Sequence, residues 1–561
     1  MSFATISDRY FQEMLPLTPV TATQFGEHRY DGGLDDVSAA GEAKRTALAR
    51  DLLSQLDALE RAQLSRAHQV DARLLTNELQ YVLWQSEQLQ EWRWNPLLYT
   101  ELAGNSIYLL MARDFAPLPD RLRNVSARLG ELPRLLSQVR EVLDPLRVPR
   151  IHAETAVKQN TGILDLIDQV VVPQLSALPE ADQQQLKSVI AKARTAVTQH
   201  QLWLEKRLLP AARGDFRLGA VLYDQKLHFA LLSSLSRQDI RTRALDEIAR
   251  TRTQMYAQAR LALTGRPAAP PLPDSPTPDE QQTAIAAALE LAYAQRPERG
   301  ALFDTVRSEF AKAYDFLRSA DFVTLYDDPI AIVPIPKYQQ GVAVAYCDPP
   351  GVLDRGQKTF FSISPIPEDW SQAQSDSFLR EYNLRSIDNL VSHEALPGHY
   401  VQYTHGNRYD SPLRAVLKSG TFEEGWAVYA ERLMVEQGFR AGDPLMKLVQ
   451  LKWYLRTVAN AILDQAVHVD GMSREDAMKL MIHDTFQEER EAAGKWVRAQ
   501  LTATQLSTYF VGVQEHLALR EEARKRWGKT FTLKRYHDAV LGYGMPPVSY
   551  IRELMFELPI N

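Results

Sequence analysis

Residues 391–400 read VSHEALPGHY, and the fold of this region turns on whether Pro397 ends a helix or sits inside one. Upstream, Leu379, Tyr382, Ile387, Leu390 and Val391 predict a helix over 376–396, since at about 100° per residue they fall in one broad arc. His393 and Glu394 fall in the same arc. They point toward the buried side, where an unpaired charge is costly unless something compensates it. Pro397 has no N–H, and its ring collides with the carbonyl four residues back, that of His393. Leu396 is pushed out of the helical region, and Gly398 permits a turn that other residues resist. The helix must kink or stop right after the His-Glu pair. In an unbroken helix His399 would stand about 120° and about 9 Å from His393, too far to share a ligand. A two-residue Pro-Gly bulge could swing His399 back to where the fourth residue after His393 would have been. The other reading is a helix C-terminus whose histidines complement the dipole.

A carboxylate for such a pair lies in TFEEGWAVYAERLMVE, residues 421–436. On a helix Val428, Glu431 and Val435 lie within about 40° of Glu424, so the four share one stripe. A buried carboxylate there needs a cation or a proton. Glu424 follows His399 by 25 residues, enough for a loop and a returning helix. Cys347 is the single cysteine, which excludes an intramolecular disulfide and any cysteine-based zinc site. Cys347 itself, in VAYCDPPG with no histidine nearby in sequence, is a weak candidate nucleophile. The expectation is one zinc ion per chain held by His393, His399 and Glu424, with a fourth position for water and Glu431 on the same stripe behind them. Glu394 would be the general base and the zinc-bound water the nucleophile.

Around this motif the text is helical almost throughout. TALARDLLSQLDALERA (46–62), VDARLLTNELQYVLWQSEQLQ (70–90) and the stretch beginning LPDRLRN near 118 repeat apolar residues three and four apart. TGRPAAPPLPDSPTPDE (264–280) holds six prolines and reads as an extended linker. Residues 1–263 are therefore expected as a helical N-terminal region and 281–561 as a catalytic region. Within the latter the period changes between about 329 and 365, where IAIVPIPKYQQGVAVAY and KTFFSIS predict two to four short strands. The fold class is mostly α, a helical shell around a cleft with one small sheet beside the motif. Strand KTFFSIS could bind a substrate strand along its edge, or serve as an ordinary core strand.

Composition narrows the partners. With 64 Lys+Arg against 70 Asp+Glu and no basic block, nucleic acid is an unsuitable partner. No apolar run reaches the roughly 18 residues of a membrane span. The first residues lack a signal-peptide pattern. The location expected from the chain as it reads is cytoplasmic, or periplasmic or lipoprotein if a leader has been trimmed.

HEALPGHYVQ (393–402), FEEGWAVYAERL (422–433) and YHDAVLGYGMPP (536–547) together resemble the bacterial family catalogued as domain of unknown function 885. Its pattern includes H-E-x-x-P-G-H and, downstream, E-G-W-A-x-Y-x-E. The likeness runs from TQFGEHRYDGGL (23–34) almost to the end. It implies kinship with helical zinc peptidases of the thimet-oligopeptidase and Taq-carboxypeptidase kind (gluzincins), with a deep cleft, a zinc ion and peptide substrates. Where the family usually has a second histidine after P-G-H, this chain has Tyr400.

Other candidates are supporting residues. Arg456, Asn460, Asp464 and His468 form a ladder four apart. Arg456 could hold a peptide carboxylate, Asp464 could back the metal ligands, and His468 is a catalytic candidate. The alternative is the solvated stripe of an amphipathic helix. Tyr509 and His537 are candidates to stabilise an oxyanion, or a packed aromatic and a core histidine. Tyr543, between glycines, is a candidate substrate contact, and His405 reads as a surface residue. Two functions remain: a zinc metallopeptidase, carboxypeptidase- or oligopeptidase-like, hydrolysing short or unfolded peptides, or a catalytically inactive peptide-binding scaffold of gluzincin-like fold.

Overall fold

The chain is 72% helical and 3% strand, so it is mostly α with one small sheet, as its periodicity predicts. The computed structural model describes residues 2–341, 343–354 and 356–560. Val342 and Arg355, inside the predicted strand region, lie outside the described residues.

The elements on which the site and its core rest are few. In the N-terminal part they are α1 (Arg66–Trp84) and α2 (Leu97–Met111). Next come α3 (Arg237–Leu263) and α4 (Pro278–Tyr293), which flank the proline-rich stretch. Helix α4 begins inside that stretch, at a capping box of Thr277 and Glu280. Both α3 and α4 bury side chains in the same core as the C-terminal helices, so the stretch joins two helices of one core.

The sheet follows: β1 (Ile330–Pro334), β2 (Ala345–Asp348) and β3 (Thr359–Ile363), in the order β1-β3-β2. β3 pairs parallel with β1 and antiparallel with β2. KTFFSIS is thus the central and fully buried strand, the core-strand alternative rather than the edge. The free edge next to the cleft belongs to β2. Strand order depends on pairings 12 to 29 residues apart, which local alternation does not encode.

The C-terminal helices are α5 (Gln372–Glu381), α6 (Leu384–Glu394), α7 (His399–Gly406), α8 (Gly420–Glu436), α9 (Pro444–Gln465), α10 (Glu489–Leu501), α11 (Gln505–Trp527) and α12 (Leu533–Leu541). The single helix predicted over 376–396 is two. Asn383 interrupts it by accepting from the backbone N–H groups of Arg385 and Ser386, a cap that starts α6 afresh. Helix α9 is buried nearly all round, so the ladder on it is not a solvated stripe. No helix among the described residues is long and apolar enough to cross a membrane.

The N-terminal segment is clasped to the loop after β2. His28 bonds Asp31 at 2.9 Å and Asp354 at 3.0 Å, with its ring stacked on Phe115. Burial alone lowers this imidazole, but the two carboxylates outweigh it and hold the pKa up at about 9. A raised pKa means the clasp stabilises fully below the unfolded value of about 6.5 and is lost as pH rises through about 9. The gap in thermal midpoint between wild type and His28→Asn is therefore expected at pH 6.5 and should close by pH 10. A gap that stays constant over this range contradicts the clasp.

Candidate metal centre

Helix α6 delivers His393 and Glu394 on its last turn, and α7 starts at His399 after a four-residue reversal. Gly398 makes the reversal possible. A Cβ there would stand 1.8 Å from the carbonyl oxygen of His393, so only glycine lets the chain fold onto its own helix end. Trp426 holds the turn by donating its indole N–H to the Pro397 carbonyl at 2.9 Å. The two imidazoles consequently stand edge to face, centroids 4.9 Å apart and planes at 89°.

Glu424, on the first turns of α8, completes the group. Its Oε2 lies 3.6 Å from Nε2 of His393 and 3.5 Å from Nε2 of His399. One ligand atom from each residue lies within 4.8 Å of the other two. Ligands about 2.0–2.1 Å from a tetrahedral zinc stand about 3.3 Å apart, so these separations suit one shared ion. The outer nitrogens are spoken for. His393 Nδ1 donates to Glu431 Oε1 at 2.7 Å, and Glu431 Oε2 accepts from Asn389 at 2.7 Å. His399 Nδ1 faces Gln402 Oε1 at 3.4 Å. An ionised carboxylate accepts, so Nδ1 of His393 carries a proton and Nε2 is the nitrogen turned toward Glu424.

Two buried oxygens in this group have no hydrogen-bond partner, Glu424 Oε2 and Glu394 Oε2. Such atoms are rare and need an explanation. Burial pushes the Glu394 carboxyl up, against the pull of His393 and His399. Burial also acts to raise Glu424, but the two imidazoles outweigh it and hold its carboxyl well below the usual range. His393 is lowered by burial and raised more strongly by Glu424 and Glu431, to about 10. Three carboxylates around two imidazoles thus call for positive charge, and two nitrogens with one oxygen are a donor set that could hold zinc.

The third wall is α11. It crosses α8 where Gly425 and Gly512 bring the backbones into contact; a Cβ on Gly512 would meet the Thr421 carbonyl oxygen at 2.0 Å. This crossing sets Gln505 to donate to Glu424 Oε1 at 3.1 Å, and sets Tyr509 parallel to the His393 ring, centroids 6.3 Å apart. The Tyr509 hydroxyl accepts from Arg498 at 3.0 Å and from Gln505 at 3.2 Å, so its own proton is left to donate elsewhere. Asp464 serves the same helix by accepting from Thr504 N–H and the Ser507 hydroxyl at its start. Gly512→Ala is expected to cost at least the 1–3 kcal/mol of ordinary overpacking, because the obstacle is backbone. Gly494→Ala, in open space on α10, should be neutral or stabilising by comparison. Denaturant unfolding of the two variants distinguishes them; equal midpoints would contradict the crossing.

Other expected site residues are committed elsewhere. His468 points Nε2 at the carbonyls of Ala499 and Thr502. His537 donates from Nδ1 to the Phe322 carbonyl and accepts the Tyr429 hydroxyl proton, and burial keeps it neutral, down to about 4. Both are core histidines. Arg456 is paired with Glu491 at 2.6 Å and Glu381 at 3.3 Å, so it has no guanidinium face free for a substrate. Tyr543 does not line the cleft; its carbonyl accepts from Arg414. His405 is buried, not on the surface, and bonds the Thr324 carbonyl. The Tyr400 hydroxyl bonds the Asp328 carbonyl, away from the ligands. Burial pushes the Cys347 thiol up, the opposite of what a thiolate nucleophile needs. Gln505 and Arg498 are the site residues that sequence reasoning missed. Gln505 could have been found four residues before Tyr509 on one face; Arg498, on a separate helix, gave no signal.

A cleft of about 1010 Å³ adjoins this group through Gln505, which lies in its wall and bonds Glu424. Its walls include Glu78 of α1, Glu101 of α2, Tyr346 of β2, and Gln505 and Thr508 of α11.

A family model described as "Bacterial protein of unknown function (DUF885)" matches residues 19–555. Among solved structures, a "putative lipoprotein of unknown function" from Shewanella oneidensis is 30% identical, with a TM-score of 0.80 over 99% of this chain and 100% of that one. A "putative lipoprotein" from Colwellia psychrerythraea is 17% identical with a TM-score of 0.80 over 99% and 98% of the two chains, a likeness in fold. Comparison with curated proteins gives no match.

Proposed function

The chain belongs to the family described as bacterial protein of unknown function, DUF885, and from the chemistry of its His-His-Glu group we propose that it is a zinc-dependent peptidase of the gluzincin kind. The observation that carries this reading is Glu424 Oε2, a buried carboxylate oxygen without a hydrogen bond that faces two imidazole nitrogens. His393, His399 and Glu424 would hold a zinc ion, which would supply a Lewis acid able to acidify water and polarise a carbonyl. Glu394 makes no hydrogen bond among the described residues, so its carboxylate is free to take the proton of an attacking water and pass it to the leaving amine. Tyr509 has its hydroxyl proton available for the oxyanion that forms on the carbonyl. Glu431 and Asn389 fix the His393 ring. The free edge of β2 can pair with an extended peptide backbone.

The cleft volume is at the top of the range for small-ligand sites, which supports short or unfolded peptides over folded proteins. The likeness to proteins described as lipoproteins supports a place at the cell envelope. The test joins two measurements: metal content of the purified protein, and mass spectrometry of a mixed peptide library incubated with zinc-loaded protein. One zinc per chain with chelator-sensitive cleavage is expected. Peptide binding without any cleavage would favour the scaffold reading.

A further inference from the structure

Most arginines around this core are paired. Arg456 is held by Glu381 and Glu491, Arg414 by Asp71, Arg440 by Asp388 and Glu309, and Arg520 by Glu436. Arg498, near the end of α10, has no carboxylate partner among the described residues. It spends one nitrogen, Nη2, on Gln505 Oε1 at 2.8 Å and on the Tyr509 hydroxyl at 3.0 Å. Its Nε and Nη1 make no hydrogen bond, and neither is sealed from solvent. A guanidinium held in place with donors to spare, bonded to Gln505 of the cleft wall, suits a carboxylate.

Its distance from the metal ligands sets what it can reach. Gln505 touches Arg498 with one end of its amide and Glu424 with the other, so Arg498 Nη2 lies within about 8 Å of Glu424 Oε1 by bond lengths alone. In a bound peptide, one residue beyond the scissile bond advances the chain by roughly 3.5 Å and a hydrogen bond adds about 2.8 Å. A terminal carboxylate one or two residues past the scissile bond therefore meets Arg498; a longer leaving segment overshoots it. An internal bond of a long chain would bring only neutral amides to this place and leave the spare guanidinium donors without a carboxylate.

We propose that Arg498 binds the α-carboxylate of a peptide, so that the site removes one or two residues from the carboxyl end. This rests on the peptidase reading above, and the test separates the two. Calorimetry on the full zinc-loaded chain carrying Glu394→Gln, to prevent turnover, compares N-acetyl-penta-alanine with its C-terminal amide. The free acid should bind about 10- to 100-fold tighter, as a lost charged hydrogen bond implies. Adding Arg498→Met should abolish that advantage while changing the amide by less than about threefold, and Arg498→Lys, which keeps the charge without the fork, should retain part of it. Equal affinity for acid and amide, or no measurable binding of either, overturns the proposal. So does an equal loss for both peptides on Arg498→Met, since that is the signature of mere support for Tyr509. With the unmodified protein, equal cleavage of acid and amide would leave the peptidase reading standing and remove the anchor. Acid-selective binding without cleavage would leave the anchor and remove the catalytic reading.

Discussion

Glu394→Gln should lower peptide turnover by about 10²–10⁴-fold while zinc content stays at one per chain. The substitution is nearly isosteric, and the cavity around Glu394 need not change. Glu394 sits beside the ligands but outside them: it belongs to α6 next to His393, and neither oxygen makes a hydrogen bond among the described residues. An amide there cannot accept the proton of water and then release it to an amine. Because no partner is left unsatisfied, stability should change little, and removing a buried carboxylate whose pKa burial already raises could even stabilise. The measurement is single-turnover cleavage of a defined peptide alongside metal analysis and thermal unfolding of the same sample. Turnover within a fewfold of wild type would remove Glu394 from the chemistry. Loss of zinc together with activity would move it into the ligand set.

The parts of this site that were legible in the sequence share a cause. His393, Glu394 and His399 are tied together by a reversal of four residues, and proline and glycine impose that reversal through local sterics. Glu424 and Glu431 are legible because seven residues of helix bring two carboxylates onto one stripe. What the sequence did not disclose depends on remote partners. Arg456 looked free because Glu381 and Glu491, which claim it, lie 75 and 35 residues away. His537 looked available because its partners are Phe322 and Tyr429, each over 100 residues upstream. β3 stayed open between edge and core because strand alternation is the same at both places in a sheet. Arg498 was invisible for the same reason in reverse: its importance is the absence of a carboxylate, which no local pattern encodes.

Glu424→Gln should abolish the zinc-dependent part of stability. A ligand that binds only the folded chain stabilises it by RT ln(1 + [L]/Kd), about 4 kcal/mol at a thousandfold excess over Kd. Glutamine keeps the shape of Glu424 and can still meet Gln505, but it removes the negative charge between two imidazoles. Outer partners of metal ligands typically carry about 10- to 100-fold in affinity, and a ligand should carry more. If affinity falls a thousandfold, the same zinc concentration stabilises the variant by less than about 0.5 kcal/mol. Unfolding of wild type and variant, each with zinc and with chelator, gives four midpoints, and the zinc increment is the quantity to compare. An undiminished increment in the variant would mean that the ion sits elsewhere. A cluster built only as a protonated network, His393 shared between Glu424 and Glu431, gives the reverse pattern. Zinc would then add nothing even to wild type, and Glu424→Gln would destabilise the metal-free protein by about 3–5 kcal/mol, the usual consequence of breaking a buried ion pair. The two accounts of the same three side chains therefore differ in which pair of midpoints moves.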